Sequence, residues 1–539
     1  MSFAPVRGAA GRGRTGPLTR LGRFSTTSVR PMSSICVTIA RSRHKMVAAE
    51  HKWLAERGAR LCELRLDYLA RDADLGRLLP ARPTPVIVTC RRASDRGLWR
   101  ASEDARLTLL RAAIVQGVEY VDLEEDTAAA IRRYGKTKRI VSYHNFEETP
   151  HDLDEIHARL SKLDPDVIKL ATLANHPNDN VRMLQLVGRS KIPTAGFCMG
   201  DLGVPSRILT AKFGGPFTYA AVSRDREVAP GQLAFDELRS IYRYESIDRD
   251  TEVYGVVADP VAHSLSPLLH NTAFARDGLN KVYLPIRVPQ GMFPLMFDQF
   301  QSLGLRGLSV TLPHKETALT LTTNTEGPIQ EIGAANTLHL DNAGTWWAAN
   351  TDYDAALESI LLGLGDGNTP ASAKELEGKR VLILGAGGVA RAVGWATVRG
   401  GAAVTVTNRG SSRGKELAAA LGCQFVSWEN RGTSFFDILV NCTSVGMHPN
   451  VDETPLPENL LNEGALVFDT VYNPEQTMLV RQARERGCRV VTGIEMFVRQ
   501  AAKQYARFAG KEPSLDLFRG IVRKAISVVK VDGVGAGAG

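Results

Sequence analysis

No Cys-x-x-Cys pair occurs in the chain, and its seven cysteines (Cys36, Cys62, Cys90, Cys198, Cys423, Cys442 and Cys488) are scattered and odd in number. That argues against a disulfide scaffold and a zinc site, and for a reducing compartment, with the cytoplasm as the default. No apolar run approaches the roughly 18 to 20 residues needed to cross a bilayer, so a membrane span is not expected. A concentrated basic stripe is also missing. Lys and Arg number 66 against 58 Asp and Glu, and the net charge of +8 is spread over 539 residues. Such a balance suits small anionic ligands better than nucleic acid. The first 31 residues contain no acid but carry Arg7, Arg12, Arg14, Arg20, Arg23 and Arg30. This composition fits a plastid transit peptide, a flexible tail, or a start placed before a true Met32. Residues 1–33 are therefore set aside from the fold, as is the Gly-rich end 531–539.

What is present is enough apolar sequence, 44%, for several cored domains, and about 150 residues per domain gives about three. Between Ser34 and Tyr244, short apolar segments alternate with stretches of helical spacing, the rhythm of a parallel sheet. Eight strands are expected: Ile35 to Ile39, Leu61 to Asp67, Val86 to Arg91, Glu119 to Glu124, Arg139 to His144, Val167 to Ala171, Thr194 to Met199 and Phe217 to Val222. Eight such units predict a closed (β/α)8 barrel over 34–245.

Several of these strands carry charge near their carboxyl ends. Cys62, Leu64 and Leu66 alternate with Glu63, Arg65 and Asp67, which places the three charges on one face. Arg91, Glu124, His144 and Lys169 occupy the same end of later strands, the rim where barrels of this kind hold their active sites. A plug of salt bridges would account for Glu63 and Arg65, but poorly for a lone Lys169 on an apolar strand. Among Arg65, Arg91 and Arg207, an amine is expected to lose its proton more easily. It could then attack a ketone, while His144 moves a proton beside the resulting imine. The arginines imply a substrate carboxylate.

Glu63-Leu64-Arg65-Leu66-Asp67, Ser142-Tyr143-His144, the Lys169 strand, Pro205-Ser206-Arg207 and Ala229-Pro230-Gly231-Gln232 occur in the order seen in type I 3-dehydroquinate dehydratases, which this half resembles. The resemblance implies a barrel that dehydrates 3-dehydroquinate through a lysine imine. Lys169 would form the imine and His144 would act as acid and base. Glu63 would orient the imidazole or substrate, and Arg65, Arg91, Arg207 and Gln232 would hold the carboxylate and hydroxyls. The family commonly has Ser where this chain has Val228, and Glu where it has Asp95. One hydroxyl contact and some reach of an acid are therefore missing.

A new strand begins at Val253 to Val257. Beyond it, Ser264-Leu265-Ser266-Pro267 enters a helix, and Ser266 before Pro267 reads as an N-cap with Pro at the first helical position. Two serines at a helix N-terminus also make a carboxylate site. Further on, Arg380 to Leu384 is a buried strand that leads through Gly385-Ala386-Gly387-Gly388-Val389-Ala390 into a helix, in the order a dinucleotide fold requires. The next strand, Ala403 to Thr407, ends in Asn408-Arg409, with Arg413 close behind. Cations in place of the usual acid point to NADP.

Thr311 to Lys315, Ala334 to Thr337 and Asn350-Thr351-Asp352 lie between these two sites. With Asn441 to Met447, Tyr472-Asn473-Pro474 and Gly493 to Gln500 they are similar, motif for motif, to shikimate dehydrogenases. A surface ion pair is the ordinary fate of a Lys and an Asp such as Lys315 and Asp352. The resemblance instead implies that these two handle the proton that accompanies hydride transfer. It implies that Ser264 and Ser266 bind the substrate carboxylate, that Thr311, Asn336, Tyr472 and Gln500 line its site, and that Thr443 and Gly493 join the NADP site. Tyr353 stands where many relatives have Gly. The expected architecture is an α/β chain. A (β/α)8 TIM barrel is followed by a shikimate dehydrogenase-like substrate domain at 252–362, completed by helices from about 494–530. A Rossmann NADP-binding domain fills 375–493.

Both halves occur in this order in bifunctional 3-dehydroquinate dehydratase and shikimate dehydrogenase enzymes, which the chain resembles from end to end. The implied partners are 3-dehydroquinate, 3-dehydroshikimate and shikimate, with no nucleic acid, membrane or metal. A quinate-preferring dehydrogenase and a non-catalytic sensor of the same compounds are the alternatives. Ser266 and Thr311 stand against the first, and Lys169, His144, Lys315 and Asp352 against the second.

Overall fold

The computed structural model describes residues 33–262, 264–367 and 369–534. All eight expected strands form: β1 (Ser34–Ile39), β2 (Leu61–Arg65), β3 (Val86–Thr89), β4 (Tyr120–Glu124), β5 (Lys138–Asn145), β6 (Val167–Leu173), β7 (Thr194–Met199) and β8 (Phe217–Ala220). They are parallel, in the order β7-β6-β5-β4-β3-β2-β1-β8, which makes a nearly closed barrel whose β7 and β8 flank a seam without a ladder. Alternation along each strand explains the two faces. Val37, Leu64, Val88, Leu123, Val141 and Leu170 point outward and pack on helices such as His44–Glu56 and Glu103–Val115. Inward, Cys36, Leu61, Ile87, Ile140, Val167 and Phe217 fill the amino-terminal end. Two residues further along the same strands stand Thr38, Glu63, Thr89, Ser142 and Lys169, so the polar layer lies on an apolar floor.

The second sheet contains β9 (Glu252–Ala258), β10 (Lys281–Arg287), β11 (Leu305–Val310), β12 (Asn324–Thr325), β13 (Thr337–Leu340) and β14 (Trp346–Ala349). Its order is β10-β9-β11-β13-β14-β12, with β13 antiparallel to both of its neighbours. Tyr254, Val256, Ala258 and Tyr283 form one face, covered by helices Ser266–Arg276, Gly493–Ala509 and Leu515–Val534. Val253, Val257, Leu284 and Ile286 form the other, and they belong to the same buried cluster as the barrel's outer shell. Helix Asn178–Arg189 packs on Phe293–Phe300 there, and Val204–Leu209 lies against β10.

The third sheet is wholly parallel: β15 (Arg380–Leu384), β16 (Ala403–Asn408), β17 (Gln424–Ser427), β18 (Ile438–Asn441), β19 (Leu466–Asp469) and β20 (Arg489–Val491). The order β17-β16-β15-β18-β19-β20 is that of the doubly wound dinucleotide fold. Its apolar runs are buried on both faces, as helices on both sides require.

Three expectations are corrected. Strand β2 stops at Arg65, because Leu66–Tyr68 turns into a 3-10 helix, so Asp67 does not share the strand's face. Helix Ser266–Arg276 starts one residue earlier than its Pro suggests, with Leu265 at the N-cap position and no side-chain cap, so Ser266 is already in the first turn. The final helix runs to Val534, so 531–534 is helical rather than an irregular tail. The expected segment 1–33 lies outside the described residues apart from Ser33, whose hydroxyl hydrogen-bonds Tyr244 Oη at 2.8 Å, and 535–539 also lies outside them. Among the described residues no helix is long and apolar enough to cross a membrane.

Candidate active sites

Lys169 is 5% exposed and projects into the barrel from the middle of β6. It pairs in register with Ser142, and His144 follows two residues later on the same face of β5, so amine and imidazole share the interior. Lys169 Nζ donates to Asp122 Oδ2 at 2.9 Å, lies 3.7 Å from Glu63 Oε1, and sits 4.0 Å from the Tyr219 ring centre. The partners of the amine are thus carboxylates, not the guanidinium groups expected. Glu63 is held on both oxygens, by Thr38 Oγ1 at 2.9 Å and Thr89 Oγ1 at 2.8 Å.

Arg91 is consumed by acids. It donates to Glu124 at 2.7 Å, to Asp122 at 2.9 Å and to the Ser142 hydroxyl at 3.3 Å. Burial opposes charge on Asp122, but Arg91, Lys169, His144 and Ser142 outweigh it and hold this carboxyl well below the usual carboxylate range. Burial, then Arg91 and Lys169, push the half-buried His144 well below its ordinary 6.5, so the imidazole is neutral at pH 7. Arg65 forms a two-pronged pair with Asp67, at 2.9 and 2.8 Å.

Arg207 differs from both of these arginines. It is 1% exposed and stacks over Phe197 at 4.7 Å. One nitrogen donates to Pro230 O at 3.1 Å, Nε has no partner, and no carboxylate pairs with the group among the described residues. Burial lowers it to about 10. Of Arg65, Arg91 and Arg207, this is the guanidinium left without an acid. The loop beside it is closed by Gln232, which accepts from Val228 N at 3.0 Å and donates to Thr38 Oγ1 at 3.4 Å. Asp95 is taken up by Arg92 at 2.8 Å.

In the second sheet, Lys315 opens helix Lys315–Thr320 and Asp352 lies in the first turn of helix Thr351–Leu364. Their charged atoms are 2.6 Å apart and both residues are buried, at 9% and 5% exposure. Asn350 caps the second helix by accepting from Asp352 N at 3.1 Å and Tyr353 N at 3.3 Å. Asn336 clamps Thr351, donating to its hydroxyl at 3.0 Å and accepting from its N–H at 2.8 Å. Ser264 Oγ accepts from Ser266 N at 3.3 Å, Thr311 N donates to Val257 O at 3.0 Å, and Gln500 is engaged within its own helix on Phe497 O at 3.0 Å. Tyr472 stacks on Phe497 with ring centres 4.5 Å apart.

Gly385, at φ +114, ends β15 where a Cβ would stand 2.9 Å from Cys442 O and 3.4 Å from Thr443 Cγ2. Gly387 has open space around it, and a Cβ on Gly388 would come within 2.9 Å of Lys315 Cδ. The glycine loop and the lysine therefore face one cleft. Ala386, Val389 and Ala390 carry that loop into helix Gly388–Arg399. Asn408 Nδ2 ties back to Gly410 O at 2.9 Å, while Arg409 and Arg413 are exposed and form no ion pair among the described residues. A Cβ on Gly493 would meet Val471 O at 2.3 Å, so that helix start must be Gly for close packing.

Four residues escaped the sequence reading. Asp122 sits mid-strand, although its alternation with Glu124 placed both inside the barrel. Tyr219 forms part of the amine's wall. Gln504 bonds Ser309 Oγ at 2.7 Å and Asn336 O at 3.1 Å, and its spacing from Gln500 put it on the same helix face. Asp469 is buried behind Thr443, and no motif quoted above includes it.

Residues 35–249 match the model of the type I 3-dehydroquinase family, and residues 256–338 that of the shikimate dehydrogenase substrate binding domain. The chain is 37% identical over 517 residues to the chloroplastic bifunctional 3-dehydroquinate dehydratase/shikimate dehydrogenase of Arabidopsis thaliana, covering 92% of this chain and 85% of that one. It is 36% identical over 285 residues to the shikimate dehydrogenase (NADP(+)) of Methanosarcina mazei, covering 51% of this chain and 99% of the relative. For the corresponding enzyme of Syntrophobacter fumaroxidans the identity is 37% over 258 residues, 47% of this chain and 86% of the relative.

Proposed function

The chain belongs to the family of bifunctional 3-dehydroquinate dehydratase/shikimate dehydrogenases, and on that premise we propose how its residues divide the two reactions. The barrel, 34–245, removes water from 3-dehydroquinate. The remainder reduces the product, 3-dehydroshikimate, to shikimate, with 252–362 and about 494–530 holding the substrate and 375–493 the nucleotide. The carrying observation is Lys169, an amine buried inside the barrel on the same face as a neutral His144.

Lys169 Nζ loses a proton, for which Glu63 is the carboxylate in reach, since Asp122 is held in its charged form. The amine adds to the substrate ketone, and water leaves to form the imine. His144 takes the proton from the neighbouring carbon and returns one to the departing hydroxyl, after which water hydrolyses the imine. Arg207 meets the substrate carboxylate, because it alone of the three arginines lacks an acid. Arg65 and Gln232 border the hydroxyls. Arg91 aligns Asp122 and Glu124.

The nucleotide site fits NADP. Gly385 lets the chain turn tightly against Cys442, Gly387 leaves open space for a pyrophosphate at the N-terminus of helix Gly388–Arg399, and Arg409 and Arg413 are free for a 2′-phosphate. When bound, NADPH supplies the hydride. Lys315 hydrogen-bonds the substrate oxygen that gains a proton, and Asp352 orients Lys315 and accepts from a neighbouring hydroxyl. Ser264 and Ser266 take the carboxylate, and Thr311, Asn336, Tyr472 and Gln500 surround the ring. Asn408, Thr443 and Gly493 complete the nucleotide wall. The unpaired thiols suit the cytoplasm, and a mature terminus cut near Met32 would point to a plastid instead.

The test is to mix the full chain with 3-dehydroquinate and NADPH. Enone absorbance should rise and cofactor absorbance should then fall. Absence of the first change would remove the dehydratase assignment, and absence of the second the reductase.

A further inference from the structure

Asp469 ends β19, next to Asn441 at the end of β18, and the two are paired in register. Both are 0% exposed, as is Thr477. Asp469 Oδ1 accepts from Asn441 Nδ2 at 3.0 Å and from Val471 N at 3.1 Å, and Oδ2 accepts from Thr477 Oγ1 at 2.6 Å. Two of the three donors, Asn441 and Val471, lead to residues of the cleft. Asn441 Oδ1 in turn accepts from Thr443 N at 3.0 Å and Thr443 Oγ1 at 2.7 Å, and that hydroxyl accepts from Val445 N at 3.1 Å. Thr443 is the side chain against which Gly385 is packed. Val471 precedes Tyr472 and supplies the carbonyl that crowds Gly493. Thr477 caps helix Met478–Glu485.

We propose that Asp469 is a positioning residue for the reduction: acting through Asn441, it fixes the Thr443 loop against Gly385 and so sets the affinity for NADPH. This rests on the reading of 375–493 as the nucleotide domain. A carboxylate with no cation beside it is an unfavourable occupant of a core, since burial raises its pKa to about 6 despite three donors. An apolar residue would pack there without that cost, but would leave the amide of Asn441 free to turn and the Thr443 hydroxyl without a fixed acceptor.

The experiment compares Asp469→Ala, Asp469→Asn, Thr443→Val and the double variant Asp469→Ala with Thr443→Val, all in the full chain. KM for NADPH, kcat and the dehydratase rate are measured on each. Asp469→Ala should raise KM for NADPH about tenfold while dehydration proceeds at its usual rate. Asp469→Asn, which keeps an oxygen for Asn441 and Val471, should recover most of that loss. The double variant should be no worse than the poorer single one, because both act through one chain of contacts. Multiplying effects would overturn the proposal, as would an Asp469→Ala protein that melts earlier yet binds NADPH normally. If Asp469→Ala fails to fold, Asn441→Ala and its double variant with Thr443→Val carry the test: a raised KM for NADPH that the double does not multiply supports the chain of contacts, and a normal KM overturns it. An unmodified chain that fails to oxidise NADPH would instead overturn the reading of the domain.

Discussion

Lys169 Nζ and Asp122 Oδ2 are 2.9 Å apart although their strands, β6 and β4, are separated by β5, so the bond crosses the barrel interior. Asp122 also binds Arg91 at 2.9 Å and Ser142 at 2.7 Å. One carboxylate thereby joins three strands, β4 to β6, and the segment that follows β3, in front of the reactive amine.

Replacing Asp122 with Asn should cost about 3 to 5 kcal/mol at pH 7, since two buried cations would lose their common counter-charge. The native carboxyl titrates below its unfolded value of 3.8, so its contribution is complete above that pH and fades as pH falls further. Urea unfolding from pH 3 to 8 measures both features. Equal stability of the two proteins at pH 7 would show that the network is slack.

Borohydride added during turnover of 3-dehydroquinate should label Lys169 and no other lysine, as read by peptide mass. Lys169→Met should abolish dehydration and spare the reduction of supplied 3-dehydroshikimate. An adduct elsewhere would reassign the amine.

His144 is held below 6.5 in the free protein, so kcat/KM for dehydration should show no His144 inflection near that pH. His144→Asn should lower the rate by about 10² to 10⁴. A limb at 6.5 that disappears in the variant would contradict the burial argument.

Arg409→Gln combined with Arg413→Gln should weaken NADPH binding about 10- to 100-fold, the scale of losing a charge-assisted hydrogen bond. NADH binding should hardly change. Titration with each nucleotide decides the matter, and equal losses would remove the 2′-phosphate assignment.

Asp469→Asn should also be the more stable protein at pH 8, by up to about 3 kcal/mol, because a rise from 3.8 to about 6 penalises the charged form by that amount. With the folded pKa above the unfolded one, the penalty is absent below about 3.8 and complete above about 6. Melting curves across this range should converge in acid. Parallel curves at all pH values would mean that folding leaves the carboxyl's pKa unshifted.

Much of this was legible from local pattern. Period-two alternation in Glu63-Leu64-Arg65 is enough to place charge inside a barrel, and the strand, glycine loop and helix after Arg380 fix their own geometry. Pairing across the interior was not legible. The partners of Lys169 come from β2 and β4, so the sequence reading surrounded the amine with arginines, two of which, Arg65 and Arg91, are themselves bound to acids. Ser266 shows a smaller limit: Pro267 marks the first turn without fixing which residue opens it. Asp469 and Gln504 act by reaching back to other segments, and such roles have no signature in their own neighbourhood.

The nonpolar cluster shared by the barrel's outer shell and the Val253, Val257 and Leu284 face of the second sheet has a consequence for the chain as a whole. Cleaving the polypeptide near Asp250 would strip greasy skin from both fragments. Either piece alone would present that apolar face to water, so a severed half should clump more readily than the joined chain.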